Sequence, residues 1–199
     1  MTPLQQLAER GQSVWIDYLS RRLVKEGDLR GLVEQGIVGV TSNPTIFQGA
    51  IAEGDAYDDQ IRELSGHYDD PKEIFWRLAA DDIRDACDIL RPVWDDGSGK
   101  DGWVSLEVDP NLAHDTEATK AEAARLHALV DKPNLFIKIP ATLEGLQAIE
   151  DSIAAGIPVN VTLIFSLERH RKVAEAYVRG LQRLVDGGGD PSTVASVAS

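Results

Sequence analysis

Short apolar runs recur along the chain, and longer stretches with helical periodicity separate them. We predict a β-strand at each apolar run: 13–19, 38–43, 103–109, 135–140, 159–165 and 193–199. We predict helices at 3–10, 22–35, 55–65, 71–91, 116–130, 143–155 and 167–185. Strands that alternate with helices are typical of βα units in an α/β protein with a parallel sheet.

The alternation of side chains within the strands distinguishes a barrel from an open sheet. In the run 135–140, Leu135, Ile137 and Ile139 share one face, whereas Lys138 lies on the other. The runs 103–109 and 159–165 likewise have one aliphatic face and one face with polar groups. A doubly wound sheet buries both faces under helices, but the inner face of a barrel becomes polar near the carboxyl ends of its strands. The pattern therefore predicts a (β/α)8 TIM barrel, here incomplete, with about six strands.

The same alternation places polar side chains together at one end of this barrel. A lysine that is neutral can attack a carbonyl carbon and form a Schiff base, and nearby carboxylates can then move protons to and from hydroxyl groups. Barrel enzymes assemble their sites from residues at the ends of several strands. The candidates are Asp17, Asn43, Glu107, Lys138 and Thr162, with Asn160 one layer deeper.

Three simpler interpretations stay open at this point. Lys138 could extend its ammonium group into solvent from a strand end, or form a structural ion pair with Glu107 or Asp109. Asp17 could cap the next helix. The segment "TSNPT" (41–45) could be a plain turn, because Asn-Pro often opens one.

Charge and composition exclude several classes of function. The chain has 20 basic and 33 acidic residues, a formal net charge of −13, which repels nucleic acid and anionic membranes. No apolar run reaches the length of a membrane span. The only cysteine is Cys87, so no internal disulfide forms and a cytoplasmic location is the simpler expectation. We expect no metal, because all four histidines lie outside the predicted strands: His67, His114, His127 and His170.

Five segments together resemble the transaldolase family. They are "WIDYLSR" (15–21), "GVTSNPTIF" (39–47), "VSLEVDP" (104–110), "LFIKIPAT" (135–142) and "NVTLIFS" (160–166). The resemblance implies a barrel of the class I aldolase type and a transferase of the pentose phosphate pathway. Such an enzyme moves a dihydroxyacetone unit from sedoheptulose 7-phosphate or fructose 6-phosphate to glyceraldehyde 3-phosphate or erythrose 4-phosphate.

The resemblance also implies a role for each candidate residue. The Schiff-base lysine of the family falls on Lys138 and its acid/base aspartate on Asp17, while Glu107 and Thr162 handle the water that is expelled and returned. The resemblance implies sugar-phosphate substrates and no cofactor, and it leaves a monomer and a homodimer open. The substrate-binding positions fall on Asn43, Asn160 and Ser199.

The chain departs from the family pattern in its length. A barrel of this kind takes about 250 residues, so we expect 1–199 to be a single barrel domain truncated before its last strands. The phosphate-binding arginines of the family lie beyond Ser199. The segment 45–101, with two expected helices and a loop at 94–102, resembles the long bacterial form, some members of which are fused to a sugar-phosphate isomerase.

Two other functions stay open beside transfer. A fructose 6-phosphate aldolase of the same superfamily would use the same lysine, but it typically has a tyrosine where this chain has Glu107. A catalytically inactive barrel could act as a binding module, but such a relative usually loses the nucleophile first, and Lys138 is present.

Overall fold

A computed structural model describes all residues of the chain, 1–199. The strands are β1 Val14–Asp17, β2 Ile37–Thr41, β3 Trp103–Glu107, β4 Leu135–Pro140, β5 Val159–Thr162 and β6 Ser196–Ala198. The helices are α1 Pro3–Glu9, α2 Arg21–Lys25, α3 Asp28–Gln35, α4 Pro44–Ala52, α5 Asp58–Leu64, α6 Pro71–Asp96, α7 Thr116–Val130, α8 Leu143–Ala154 and α9 Leu167–Asp186. Two 3₁₀ helices lie at Pro110–Leu112 and Pro191–Thr193.

The strands pair in chain order in one six-stranded sheet, β1-β2-β3-β4-β5-β6. The pairing is parallel, with Asp17 opposite Thr41 and Lys138 opposite Asn160. A helix follows each of the first five strands. This arrangement of βα units is that of an incomplete (β/α)8 barrel, which confirms the predicted fold class.

Several predicted boundaries were wrong. The helix expected at 22–35 is divided into α2 and α3 by Gly27, whose left-handed φ of 91° breaks the helical path. The helix expected at 71–91 continues through Pro92 to Asp96, and the Trp94 ring packs edge-on against Trp103 at 6.1 Å. The loop expected at 94–102 is correspondingly shorter.

The segment 45–101 contains one helix more than predicted. Three helices lie there, because α4 begins at Pro44, directly after β2. Strand β5 ends at Thr162 rather than at 165, because Leu163 adopts a left-handed φ of 62°. The predicted strand 159–165 includes Leu163 and Phe165, but these residues lie beyond β5 and their exposed fractions are 51% and 87%.

The chain divides into two compact units. The first unit comprises Met1–Val104 and Leu129–Leu135. Its core includes Phe47, Ile83 and Leu90, all fully buried. The buried Asn134 side chain links segments of this unit by donating to the carbonyls of Cys87 and Gly102, both at 2.9 Å.

The second unit comprises Ser105–Ala128 and Phe136–Ser199. Helices α8 and α9 pack closely in it, since a Cβ atom added at Gly180 would lie 2.7 Å from the carbonyl oxygen of Glu150. Glu150 also accepts hydrogen bonds from Arg179 and Arg183 on α9. The ends of β3, β4 and β5, which carry most of the candidate residues, belong to this unit.

None of the helices is both long enough and apolar enough to cross a lipid bilayer.

Candidate active site

Lys138 lies in the middle of a strand that is buried along its whole length. Its Nζ atom is 3.0 Å from Oε2 of Glu107, and the two side chains are only 11% and 13% exposed. Lys138 therefore forms an ion pair with Glu107, the first of the two partners considered from the sequence. Asp109, the second, accepts a hydrogen bond from the backbone N–H of Asn111 at 2.8 Å and caps the 3₁₀ helix that begins at Pro110.

Asn160 is the neighbour of Lys138 on the next strand. The two residues are opposite each other in the β4–β5 register, so their side chains lie on the same face of the sheet. Asn160 is 2% exposed, and its Nδ2 atom donates to Oγ of Ser105 at 3.0 Å. Its Oδ1 atom accepts from Oγ of Ser199 at 3.0 Å. These bonds fix the orientation of the amide beside the lysine.

Thr162 and Ser199 complete the group of candidates in the second unit. Thr162 is the last residue of β5, lies opposite Pro140 of β4 and is 9% exposed. Ser199 is anchored by its own backbone N–H, which donates to the carbonyl of Val161 at 2.7 Å. The structure thus brings five predicted residues together on neighbouring strands of this unit: Glu107, Lys138, Asn160, Thr162 and Ser199.

The turn after β4 is held by its own threonine. Thr142 caps α8, since its Oγ1 atom accepts from the N–H of Gly145 at 2.9 Å and donates to the carbonyl of Ala113. A Cβ atom at Gly145 would lie 2.1 Å from the carbonyl oxygen of Pro140, so α8 starts directly against the end of β4. The carboxyl end of the strand that carries Lys138 is therefore tightly fixed.

Asp17 and Asn43 belong to the first unit, at the carboxyl ends of the paired strands β1 and β2. Asp17 is exposed and does not cap the next helix, because Ser20 does so by accepting from the N–H of Leu23 at 3.2 Å. The capping interpretation of Asp17 was therefore wrong.

The interpretation of "TSNPT" as a plain turn was also wrong. The Oδ1 atom of Asn43 accepts from the N–H of Ile46 at 2.9 Å and caps α4, which begins at Pro44. A capping role and a substrate-binding role are compatible, because an amide side chain has a second polar atom that can face a ligand.

Sequence reasoning missed two features near these candidates. Ser105 is fully buried and holds Asn160, and its shared parity with Glu107 was the signal that could have identified it. The other feature is a buried network of Arg21, Tyr57 and Asp82 in the first unit. Burial raises the pKa of the Asp82 carboxyl, and its hydrogen bonds with Arg21 and Tyr57 oppose that shift.

The structure brings no three histidine, cysteine, aspartate or glutamate side chains into an arrangement that could hold a metal ion. Among the histidines, His127 and His170 lie within helices α7 and α9, and His67 and His114 lie in turns.

Comparison with known proteins gives consistent matches over the whole chain. A family model described as Transaldolase/Fructose-6-phosphate aldolase matches residues 14–199. The chain is 56% identical over 199 residues to a protein named Transaldolase from Thermobifida fusca (strain YX). The aligned region covers all of this chain and 54% of that protein. It is 53% identical over 197 residues to Transaldolase 2 from Streptomyces coelicolor, covering 98% of this chain and 53% of that protein. The chain thus spans about half the length of the curated relatives that it matches.

Proposed function

We propose that this chain, which belongs to the transaldolase/fructose-6-phosphate aldolase family, is the Lys138-bearing part of a transaldolase. The enzyme would transfer a dihydroxyacetone unit from sedoheptulose 7-phosphate or fructose 6-phosphate to glyceraldehyde 3-phosphate or erythrose 4-phosphate. The observation that carries the proposal is the buried ion pair of Lys138 and Glu107, at 3.0 Å, beside an oriented asparagine. At this distance the Glu107 carboxylate can accept a proton directly from Lys138.

The first half of the reaction uses the pair as follows. Lys138 passes a proton to Glu107, and its neutral amine attacks C2 of the ketose phosphate to give a carbinolamine. Glu107 then protonates the C2 hydroxyl, which leaves as water held by Thr162, and a protonated Schiff base remains. Asn160 and Ser199 bind substrate hydroxyls, in keeping with the hydrogen bond that already orients their side chains.

The second half breaks and makes the carbon–carbon bond. The electron pair of the C3–C4 bond moves to the iminium, while Asp17 removes the proton of the C4 hydroxyl and the aldose phosphate leaves. The resulting enamine attacks the carbonyl carbon of the acceptor, whose oxygen takes the proton back from Asp17. Hydrolysis then frees Lys138. Asn43, which follows the strand paired with β1, binds substrate in this scheme.

We infer that residues 1–199 are the first part of a single barrel domain whose last strands follow in the complete protein. The six strands in chain order and the 54% coverage of the Thermobifida relative support this. We also place the enzyme in the cytoplasm and the pentose phosphate pathway, in keeping with the family and with a buried free cysteine, Cys87.

An aldolase that only cleaves or forms fructose 6-phosphate is the rival within the family. The relatives that match the whole chain at 56% and 53% identity are named as transaldolases, which favours transfer. Release of free dihydroxyacetone as the main product, without an acceptor requirement, would favour the rival.

Replacement of the nucleophile tests the proposal. In the full-length protein, Lys138→Arg keeps a positive charge beside Glu107 but removes the nucleophilic amine, so we expect transfer from fructose 6-phosphate to erythrose 4-phosphate to fall at least about 1,000-fold. Lys132→Arg is the matched control, because Lys132 pairs with Asp88 in the first unit, and its activity should stay within about twofold of the wild type. An active Lys138→Arg variant would refute the proposal.

A further inference from the structure

Arg21, Tyr57 and Asp82 form a closed hydrogen-bond network in the first unit. Asp82 is 1% exposed, and it accepts from Nε of Arg21 at 2.8 Å on one oxygen and from the Tyr57 hydroxyl at 2.7 Å on the other. The Tyr57 hydroxyl also accepts from the backbone N–H of Arg21 at 2.9 Å. The guanidinium of Arg21 lies over the Tyr57 ring at 4.3 Å. Arg21 and Tyr57 both bind Asp82, and they also contact each other.

The network joins three elements at the start of α2. Arg21 is the first residue of that helix, Tyr57 directly precedes α5, and Asp82 lies in the middle of the 26-residue helix α6. The Arg21 N–H is one of the first helical donors that has no partner within the helix, and the tyrosine hydroxyl satisfies it. The two helices behind the network therefore fix the position of the backbone at Arg21.

What the network holds in place is the short turn that leads away from β1. Asp17 is the last residue of β1, and only residues 18–20 separate it from Arg21. Within that turn Leu19 is fully buried and Ser20 is 7% exposed. The Asp17 backbone is thus fixed on one side by its pairing with Thr41 and on the other by a turn whose far end is tied to Asp82.

We propose that Tyr57 and Asp82 are positioning residues for the reaction, which act by holding the β1–α2 turn so that Asp17 keeps its place. This inference rests on the proposed function, since it gives these buried groups a purpose only if Asp17 takes the C4 proton. A charged network of this kind is weak evidence for stability alone, because burial costs an ion pair much of its attraction. A displacement of about 1 Å at a catalytic group can cost about 100-fold in rate.

The test is a double-mutant cycle in the full-length protein. Tyr57→Phe removes the hydroxyl that both accepts from Arg21 and donates to Asp82, but it keeps the ring under the guanidinium. We expect transfer from fructose 6-phosphate to erythrose 4-phosphate to fall about 10- to 100-fold. The rate at which borohydride traps the Schiff base should stay within about twofold of the wild type, because that step does not use Asp17. In an Asp17→Asn background, Tyr57→Phe should cause no further loss of transfer.

A matched control is available in the same unit. Tyr68→Phe also removes one phenol hydroxyl from a ring that packs against an arginine, here Arg77 at 4.1 Å, and it should leave transfer and trapping unchanged. If Tyr57→Phe does not fold at the assay temperature, Asp82→Asn takes its place in the same cycle.

Two results would overturn the inference. One is that Tyr57→Phe slows trapping and transfer by the same factor. The other is that Tyr57→Phe causes the same loss of transfer in the Asp17→Asn background as in the wild type. Either result would mean that the substitution acts through a general loss of structure. A wild-type protein that neither traps nor transfers would instead refute the proposed function, so the two failures are distinguishable.

Discussion

Lys138 is a charged side chain on a strand whose other residues are apolar, and Glu107 is the group that makes its burial tolerable. Removal of one partner of a buried ion pair costs about 3–5 kcal/mol, whereas replacement of both by apolar residues is often neutral or stabilising. Stability alone therefore does not require a lysine at this position. The pair makes physical sense as a proton donor and acceptor held 3.0 Å apart.

The two carboxylates, Glu107 and Asp17, should control different steps. Glu107→Gln keeps the shape of the side chain but cannot take the Lys138 proton, so the rate of Schiff-base trapping by borohydride should fall about 100- to 10,000-fold. Asp17→Asn should trap at the normal rate but fall by a similar factor in transfer, because it cannot take the C4 proton. Trapping and transfer rates on both variants decide the matter.

Asp109→Asn is the control for the loss of a carboxylate on the same chain segment. Asp109 caps a 3₁₀ helix, and this variant should leave the trapping rate within about threefold of the wild type. Normal trapping by Glu107→Gln together with no trapping by Asp17→Asn would mean that the two roles are reversed.

At the scale of elements, the turn after β4 fixes the strand that carries Lys138. Gly145 allows this turn, because a Cβ atom there would meet both the Pro140 carbonyl oxygen at 2.1 Å and Thr142 Oγ1 at 2.8 Å. The first contact is with backbone, which cannot move without a shift of β4 itself. The start of α8 can therefore pack closely against the end of β4 only because Gly145 has no side chain.

Gly145→Ala should therefore destabilise the protein by about 1–3 kcal/mol through overpacking. Gly31→Ala is the matched control in α3, where an added Cβ meets nothing within 4 Å, and it should stabilise by about 0.5–1 kcal/mol. Urea unfolding of both variants, compared with the wild type, measures the difference. Equal stability of the two variants would show that the turn adjusts at no cost.

The sequence predicts those elements well that carry a clear period or clear end signals. Strand β4 and helix α7 were placed at their observed bounds, 135–140 and 116–130. Helix α4 was missed because "PTIFQGAIA" is apolar almost all round and lacks an amphipathic period, although Asn43 and Pro44 form a good helix start. The early end of β5 depends on the backbone of Leu163, which the alternation of side chains does not reveal.

The candidate site was predictable in part for the same reason. Strand parity was enough to place Glu107, Lys138, Asn160 and Thr162 on neighbouring strands of one unit. Parity does not reveal contacts between distant parts of the chain, so the link from Arg21 to Tyr57 and Asp82 required the structure. The roles of all the candidate residues stay predictions.

For the whole chain, net charge limits how the proposed sugar-phosphate substrates could bind. The chain carries a formal net charge of −13, and Lys138 and Glu107 offset each other within the candidate site. The second-unit candidates therefore offer no net positive charge to a phosphate group. Under the proposed function, that task falls to the phosphate-binding arginines of the family, so transfer and trapping are measured on the full-length protein.

The position of the covalent intermediate tests directly whether Lys138 is the nucleophile. The full-length protein is incubated with fructose 6-phosphate, reduced with borohydride and digested, and fragmentation spectra are recorded for a peptide that contains both Lys132 and Lys138. The proposed mechanism predicts a reduced sugar-derived adduct on Lys138 alone, and no adduct on this peptide when fructose 6-phosphate is omitted. An adduct on Lys132 or on another residue, with Lys138 unmodified in an active protein, would contradict it.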